Sequence, residues 1–182
     1  MQVIDLLINR CSQPQLKAPA PQGQALENIF QAALRVPDHG RLQPWRYLVV
    51  EGEGLTRLGK IFADVSAAEG APEDKVARAA KMPLRAPMII VGIASPKEHP
   101  NVPRSEQVIS AGCAMMAMQQ AAYAQDFGGM WRSGALSHHP KVLEALGLES
   151  HEEIVGFLYL GTTAQEPPAA PILHSDDFFA KF

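Results

Sequence analysis

The 182-residue chain predicts an α+β or mixed α/β layer fold, built as one domain over residues 1–182. Two observations point there. Helical and strand periodicities interleave along the chain without the regular spacing of βαβ units, and no fixed-period repeat or linker divides it. A chain of this length buries roughly two-thirds of the surface its unfolded form exposes, so neither disulfides nor metals are needed for a core.

Val3, Ile4, Leu7 and Ile8 have helical spacing and predict a short first helix ending near Asn9-Arg10-Cys11-Ser12. Pro14, Pro19 and Pro21 then impose an extended connector. A second helix is expected from about Gln24 to Arg35, its apolar face formed by Leu26, Ile29, Phe30, Ala33 and Leu34, with Pro37 after its end. Aromatic and β-branched content makes Trp45 to Val50 a strand that leaves through Gly52 and Gly54. Leu55, Leu58, Ile61 and Phe62 restart helical spacing. The Ala-rich stretch from Asp64 to Ala86 predicts a short surface helix inside a mobile excursion, and Pro87 to Ala94 a second strand.

The longest helix is expected from about Ser105 to Gln125, and its midsection, apolar all round, predicts burial on every side. Gly128 and Gly129 are expected to break the chain. A short helix spans Pro140 to Leu146 and the last strong strand Glu153 to Leu160. From Pro167 onward the tail ends in Phe178, Phe179 and Phe182, expected to pack on this subunit or a neighbour.

Composition excludes several functions. The chain is 47% hydrophobic and 19% charged, a lean surface charge compatible with an oligomer interface. A net charge of -3 and a pI near 6.1 offer no general attraction to nucleic acid or anionic membranes, and no basic stripe appears. Two distant cysteines, no secretory pattern and no apolar run near the roughly 20 residues of a membrane span predict a cytoplasmic protein.

Gly54 to Lys60 matches most of a phosphate-binding loop but lacks the following hydroxyl that holds magnesium, and Leu55 and Leu58 read as a helix face. Gly52-Glu53-Gly54 with Gly59 has the wrong spacing for a dinucleotide turn. The adjacent pair His138-His139 cannot easily converge on zinc, so no metal site is expected. No nucleophile elbow is present, and Cys113 reads as a buried thiol.

Three polar clusters remain: Arg10-Cys11-Ser12, Arg35 with Asp38-His39-Gly40-Arg41, and Trp131-Arg132-Ser133-Gly134. Arg10 with Ser12, and Arg132 with Ser133, pair a planar cation with a hydroxyl suited to phosphate oxygens. Each also has an ordinary reading: arginines at helix ends, Asp38 capping a turn, His39 bonded to backbone, Trp45 in the core. Together they suggest a ligand with a phosphate at one end and heterocyclic edges at the other. Flavin, nicotinamide and purine nucleotide all fit that description.

Longer segments narrow the choice. V-I-D-L-L-I-N-R-C-S, P-D-H-G-R-L-Q-P-W-R-Y-L-V-V-E-G-E-G, A-G-C-A-M-M-A-M-Q, F-G-G-M-W-R-S-G-A-L and I-V-G-F-L-Y-L-G-T, in this order, resemble the FMN-dependent nitroreductase family, in particular its short NAD(P)H nitroreductases of the YdjA type. The resemblance implies a nitroreductase-like three-layer α+β sandwich with a central mixed sheet, assembled as an intimate homodimer with FMN at the interface. It implies ping-pong chemistry, in which hydride from NADPH or NADH passes through FMN to a nitroaromatic or quinone-like small molecule, with no side chain required as a catalytic acid. An FMN oxidoreductase for a non-nitro metabolite and a non-catalytic flavin-binding dimer remain open beside it.

By the same resemblance, Arg10, Cys11 and Ser12 fall where one subunit grips the phosphate and ribityl chain, and Arg35 and His39 where the other reaches across. Trp131, Arg132 and Ser133 lie beside the cofactor, Arg132 offsetting negative charge on the ring, and Gly134 lets backbone approach it. Cys11 stands where many relatives carry a second arginine. Asp38, His39 and Arg41 replace two serines and an asparagine, although the short members share P-D-H. Lys181 is a candidate for the basic residue that larger relatives place near the C-terminus.

Overall fold

In the computed structural model the described residues are 3–165 and 171–182. The chain runs α1 (Val3–Asn9), β1 (Leu16–Lys17), α2 (Gly23–Ala33), β2 (Trp45–Glu51), α3 (Glu53–Ala68), α4 (Glu73–Lys81), β3 (Met88–Ala94), α5 (Arg104–Tyr123), β4 (Gly128–Arg132), α6 (Ala135–His138), α7 (Pro140–Ala145) and β5 (Glu153–Thr163). Five strands form one sheet in the order β1-β5-β3-β2, with β4 paired to β5.

Every strand pairing among the described residues is antiparallel, which corrects the expected mixed sheet. The helical pair α3 and α4 returns the chain to the end of the sheet it left, so β3 runs against β2. The single helix α5 then carries it to the opposite end, so β4 points the same way as β3. The two would pair in parallel if adjacent, but β5 lies between them, antiparallel to both.

Strand β3 is buried along its whole length, and its alternating side chains feed two hydrophobic cores. Ile89, Val91 and Ile93, with Phe157 and Tyr159, meet Leu55, Leu58 and Phe62 of α3, Ala79 of α4 and Val142 of α7. Phe62 and Phe157 pack edge to face, centroids 5.5 Å apart. Met88, Ile90, Leu158 and Leu160 enter the second core with Ile29 and Ala33 of α2 and Ala114, Met115 and Met118 of α5.

The excursion expected to be mobile is instead a helix docked on α3. At Gly59 an added Cβ would lie 2.2 Å from the Ala80 carbonyl oxygen, so the lack of a side chain there sets how closely α3 and α4 approach. The near-match to a phosphate loop is thereby accounted for by helix packing. Gly128 and Gly129 begin β4 rather than break the chain: a Cβ at Gly128 would come within 2.4 Å of Leu16 and 2.9 Å of Thr163.

The long helix is not buried on every side. Ala111, Ala114, Met115 and Met118 are inside, while Ile109 is 64% exposed and Cys113 and Met116 face outward. Val3, Ile4, Leu7 and Ile8 of α1 are exposed as well. In the tail, Phe178, Phe179 and Phe182 are exposed and so do not pack on this chain; Pro167 lies outside the described residues. Among the described residues no helix is long and apolar enough to cross a membrane.

Candidate functional site

The segment after α1 is laid along the edge of β4. Arg10 N–H still donates to Leu6 O, closing the helix at 3.1 Å, and two residues past Cys11 the Gln13 N–H donates to Gly129 O at 3.1 Å. Gln119 of α5 donates to the same carbonyl at 3.0 Å, and Arg132 Nη2 donates to Pro14 O at 3.2 Å. Two of the three clusters expected from the sequence, Arg10-Cys11-Ser12 and Trp131-Arg132-Ser133-Gly134, are thus joined along one edge. Cys11 is half-buried and Ser12 exposed.

Donors on this edge lack acceptors. Arg10 Nη1 and Arg132 Nε are buried without a hydrogen-bond partner, an arrangement costly to leave in place unless a ligand completes it. The Arg132 guanidinium lies 5.4 Å from the centroid of the Tyr159 ring. Its pKa is lowered, first by burial and then by the nearby charge of Arg85. Burial pushes the Tyr159 phenol up, although the same two arginines oppose the shift.

Beside Arg132 opens a cavity of about 520 Å³ whose walls include Trp131, Phe157 and Tyr159, with Arg78, Arg85 and Arg132 supplying charge. Trp131 is fixed by its indole N–H, which donates to Val155 O at 3.0 Å. Gly156 makes room for that ring. Gly134, at φ 138°, turns the chain into α6 with open space where a Cβ would stand. Arg78, Arg85, Tyr159 and Ser137 were missed by sequence reasoning. Only Arg85 left a signal there, a cation set immediately before a buried strand.

The second cluster stands elsewhere. Asp38 accepts from the Leu42 and Gln43 backbone N–H groups at 3.0 and 2.8 Å, fastening a turn in which Gly40, Arg41 and Gln43 have positive φ. His39 Nδ1 is 2.7 Å from Glu106 Oε2 at the start of α5. Arg35 lines a separate cavity of about 720 Å³ with Arg41, Trp45 and Tyr47, whose hydroxyl is buried and unpartnered. Arg35 also lines a cavity of about 610 Å³ with Leu6 of α1 and Cys113 and Met116 of α5, but neither it nor His39 lines the cavity beside Arg132.

His138 and His139 do not share a helix: His138 ends α6, while His139 caps α7 by accepting from Lys141 N–H and lies 3.2 Å from Glu69.

Against known proteins, residues 9–162 match the Nitroreductase family. The chain is 50% identical over 162 residues to the Escherichia coli (strain K12) protein named "Putative NAD(P)H nitroreductase YdjA", covering 89% of this chain and 88% of that one. Its fold is similar to a nitroreductase-like family protein from Bacillus cereus, with a TM-score of 0.85 at 22% identity over 100% of this chain and 96% of the other. It is also similar to a Desulfovibrio desulfuricans protein crystallised in complex with FMN, with a TM-score of 0.77 at 19% identity, covering 100% and 97% of the two chains. A match spanning every strand but the last residue of β5, together with half-identity to a relative of nearly equal extent, leads to one conclusion: the chain belongs to the nitroreductase family.

Proposed function

We propose that this protein is a homodimeric FMN-dependent oxidoreductase, a single domain that takes hydride from NADPH or NADH and reduces nitroaromatic or quinone-like acceptors in a ping-pong cycle. The observation that carries the reading is the pair of buried, unpartnered guanidinium nitrogens, Arg10 Nη1 and Arg132 Nε, on one edge beside an aromatic-walled cavity. An anionic cofactor with a flat ring answers both features. The family relationship and the FMN complex of a structural neighbour support the same choice.

Bound FMN would supply the two-electron relay; the chain's own groups hold it and control access. Arg10 and Ser12 receive the phosphate, with Cys11 contributing packing and backbone where an arginine would have added charge. Trp131 walls the ring site, Ser133 and Gly134 let backbone approach it, and Arg132 offsets negative charge at its polar edge. Arg35 and His39, which do not line the cavity beside Arg132 within one chain, are assigned to the site of the other protomer.

The dimer is inferred from the apolar face that a lone chain leaves in water: Ile4 and Leu7 of α1, with Ile109 and Met116 of α5. The cores on opposite faces of the sheet support a three-layer sandwich as the protomer. The free thiols Cys11 and Cys113 suit a reducing cytoplasm.

Stepwise anaerobic addition of NADH or NADPH to the purified protein, followed by absorbance, tests cofactor, redox competence and donor preference together. Bleaching of a yellow protein, reversed by a nitroaromatic or quinone, is expected. A colourless protein that rejects added FMN sinks the reading. Arg10→Ala is expected to weaken FMN binding by roughly tenfold to a hundredfold, the loss of one charge-assisted contact, measured by fluorescence titration. Met116→Glu is expected to yield a monomer by light scattering and to lose FMN with it, because the charge must be desolvated at the interface.

A further inference from the structure

The cavity beside Arg132 holds more positive charge than the proposed cofactor accounts for. Arg78, Arg85 and Arg132 all line it, no carboxylate does, and none of the three has an ion-pair partner among the described residues. Arg85 lies near enough to Arg132 to help lower its pKa, the sign expected of two cations sharing a site without an anion between them. A second observation is independent of charge. Ser137 is 1% exposed, lines the same cavity, and its hydroxyl oxygen is buried with no hydrogen-bond partner.

The cavity continues past Arg78 and Met82, which also line a neighbouring space of about 470 Å³ between α3, α4 and α6. That space is mostly apolar, with Lys75 at its wall and its one carboxylate, Glu69, already engaged by His139. Met82, Leu136 and Arg78, the last an exposed side chain on α4, line both spaces.

Resting on the function proposed above, we infer that the electron acceptor is an anionic aromatic compound, its ring against the apolar wall and its carboxylate or sulfonate held by Arg78 and Arg85 with the Ser137 hydroxyl. Arg132 is left to the cofactor's polar edge. The reaction balances with groups already named. For a nitro acceptor, the nitro group takes two electrons and two protons, a nitrogen–oxygen bond breaks, water departs and the nitroso product remains. NAD(P)H contributes the hydride and becomes NAD(P)+, and solvent supplies the second proton.

The test isolates the acceptor half of the cycle. FMN-loaded protein is reduced anaerobically with stoichiometric dithionite and mixed with 4-nitrobenzoate or with the nearly isosteric, neutral 4-nitrobenzamide. Rates of return of the oxidised absorbance are compared at low and high salt. Dissociation constants of benzoate and benzamide on the oxidised holoenzyme, followed by tryptophan fluorescence, provide a readout independent of turnover.

The anion should be preferred by about tenfold or more at low salt in both measurements, and the preference should collapse toward unity in R78Q and, separately, in R85Q. R78Q changes an exposed side chain, so loss of folding does not stand in for the result. Equal rates and affinities for the two acceptors, or a preference that both variants retain, overturn the inference while leaving the proposed function intact. Failure of both acceptors to restore the oxidised spectrum, or failure to retain FMN, defeats the proposed function and this inference with it.

Discussion

Gly156→Ala is expected to destabilise the protein by on the order of 3–4 kcal/mol and to displace Trp131 from the cavity wall. A Cβ at position 156 would lie 1.9 Å from Trp131 Nε1, 2.5 Å from its Cδ1 and 3.0 Å from the Arg132 carbonyl oxygen. The backbone φ of 156° is itself one that side chains resist. Trp131 has to break its bond to Val155 O to escape, and Arg132 follows on the same strand. Calorimetry should record a fall in Tm of roughly 10 °C, with reduced FMN retention alongside it. Adding Trp131→Leu should recover part of the stability by removing the clash, but not the cofactor site. A single variant within about 1 kcal/mol of the native protein would mean that the indole has another place to go.

Glu152→Gln is the second large effect, and it depends on pH. The Glu152 side chain is 3% exposed and accepts from Arg46 Nε at 2.7 Å, Arg46 Nη2 at 2.6 Å and the Glu149 N–H at 3.0 Å. Arg46 Nη2 also donates to Gly147 O at 3.0 Å, so the pair fastens β2 to the loop before β5. Hydrogen bonding from Arg46 outweighs the opposing effect of burial and lowers the Glu152 pKa from 4.5 to about 2. A depressed folded-state pKa means that the carboxylate stabilises the fold fully above pH 4.5 and loses that contribution as the pH falls toward 2.

The shift corresponds to about 3 kcal/mol, reduced to about 2 kcal/mol because water reaches the Arg46 side of the pair. Urea unfolding of both proteins between pH 7 and pH 2.5 should show a deficit of about 2–3 kcal/mol for the variant at neutral pH. The deficit should narrow steadily below pH 4.5. A difference that stays constant across that range would place the lost stability in packing rather than in the ionised pair.

Local pattern carried much of the architecture. The apolar spacings of α2 and α3 and the β-branched runs of β2, β3 and β5 fall close to the ranges read from sequence, because each repeats a side-chain period that must face a core. In the candidate site, the Arg10 and Arg132 clusters were legible as polar groups set in apolar surroundings. Arg78 and Ser137 were not, since an alanine-rich amphipathic helix and a four-residue turn of helix look alike whether or not a cavity lies beneath them.

The misreadings share a cause. Gly-Gly at 128–129 resembles a chain break until Leu16 and Thr163 are seen occupying the space a Cβ would need. The apolar midsection of α5 suggests burial on every side until the single chain proves to leave Cys113 and Met116 uncovered.

By itself, the sequence determined the centres of α2, α3, β2, β3 and β5 and the family to which the ordered motifs belong, since those follow from side-chain periodicity and chemistry along the chain. Only the tertiary structure decided that β5 separates β3 from β4 in an antiparallel sheet, that Arg10 and Arg132 share an edge with unanswered donors, and that three arginines converge on one cavity. These are relations between segments distant in sequence, set by packing and strand order, and no local pattern encodes them.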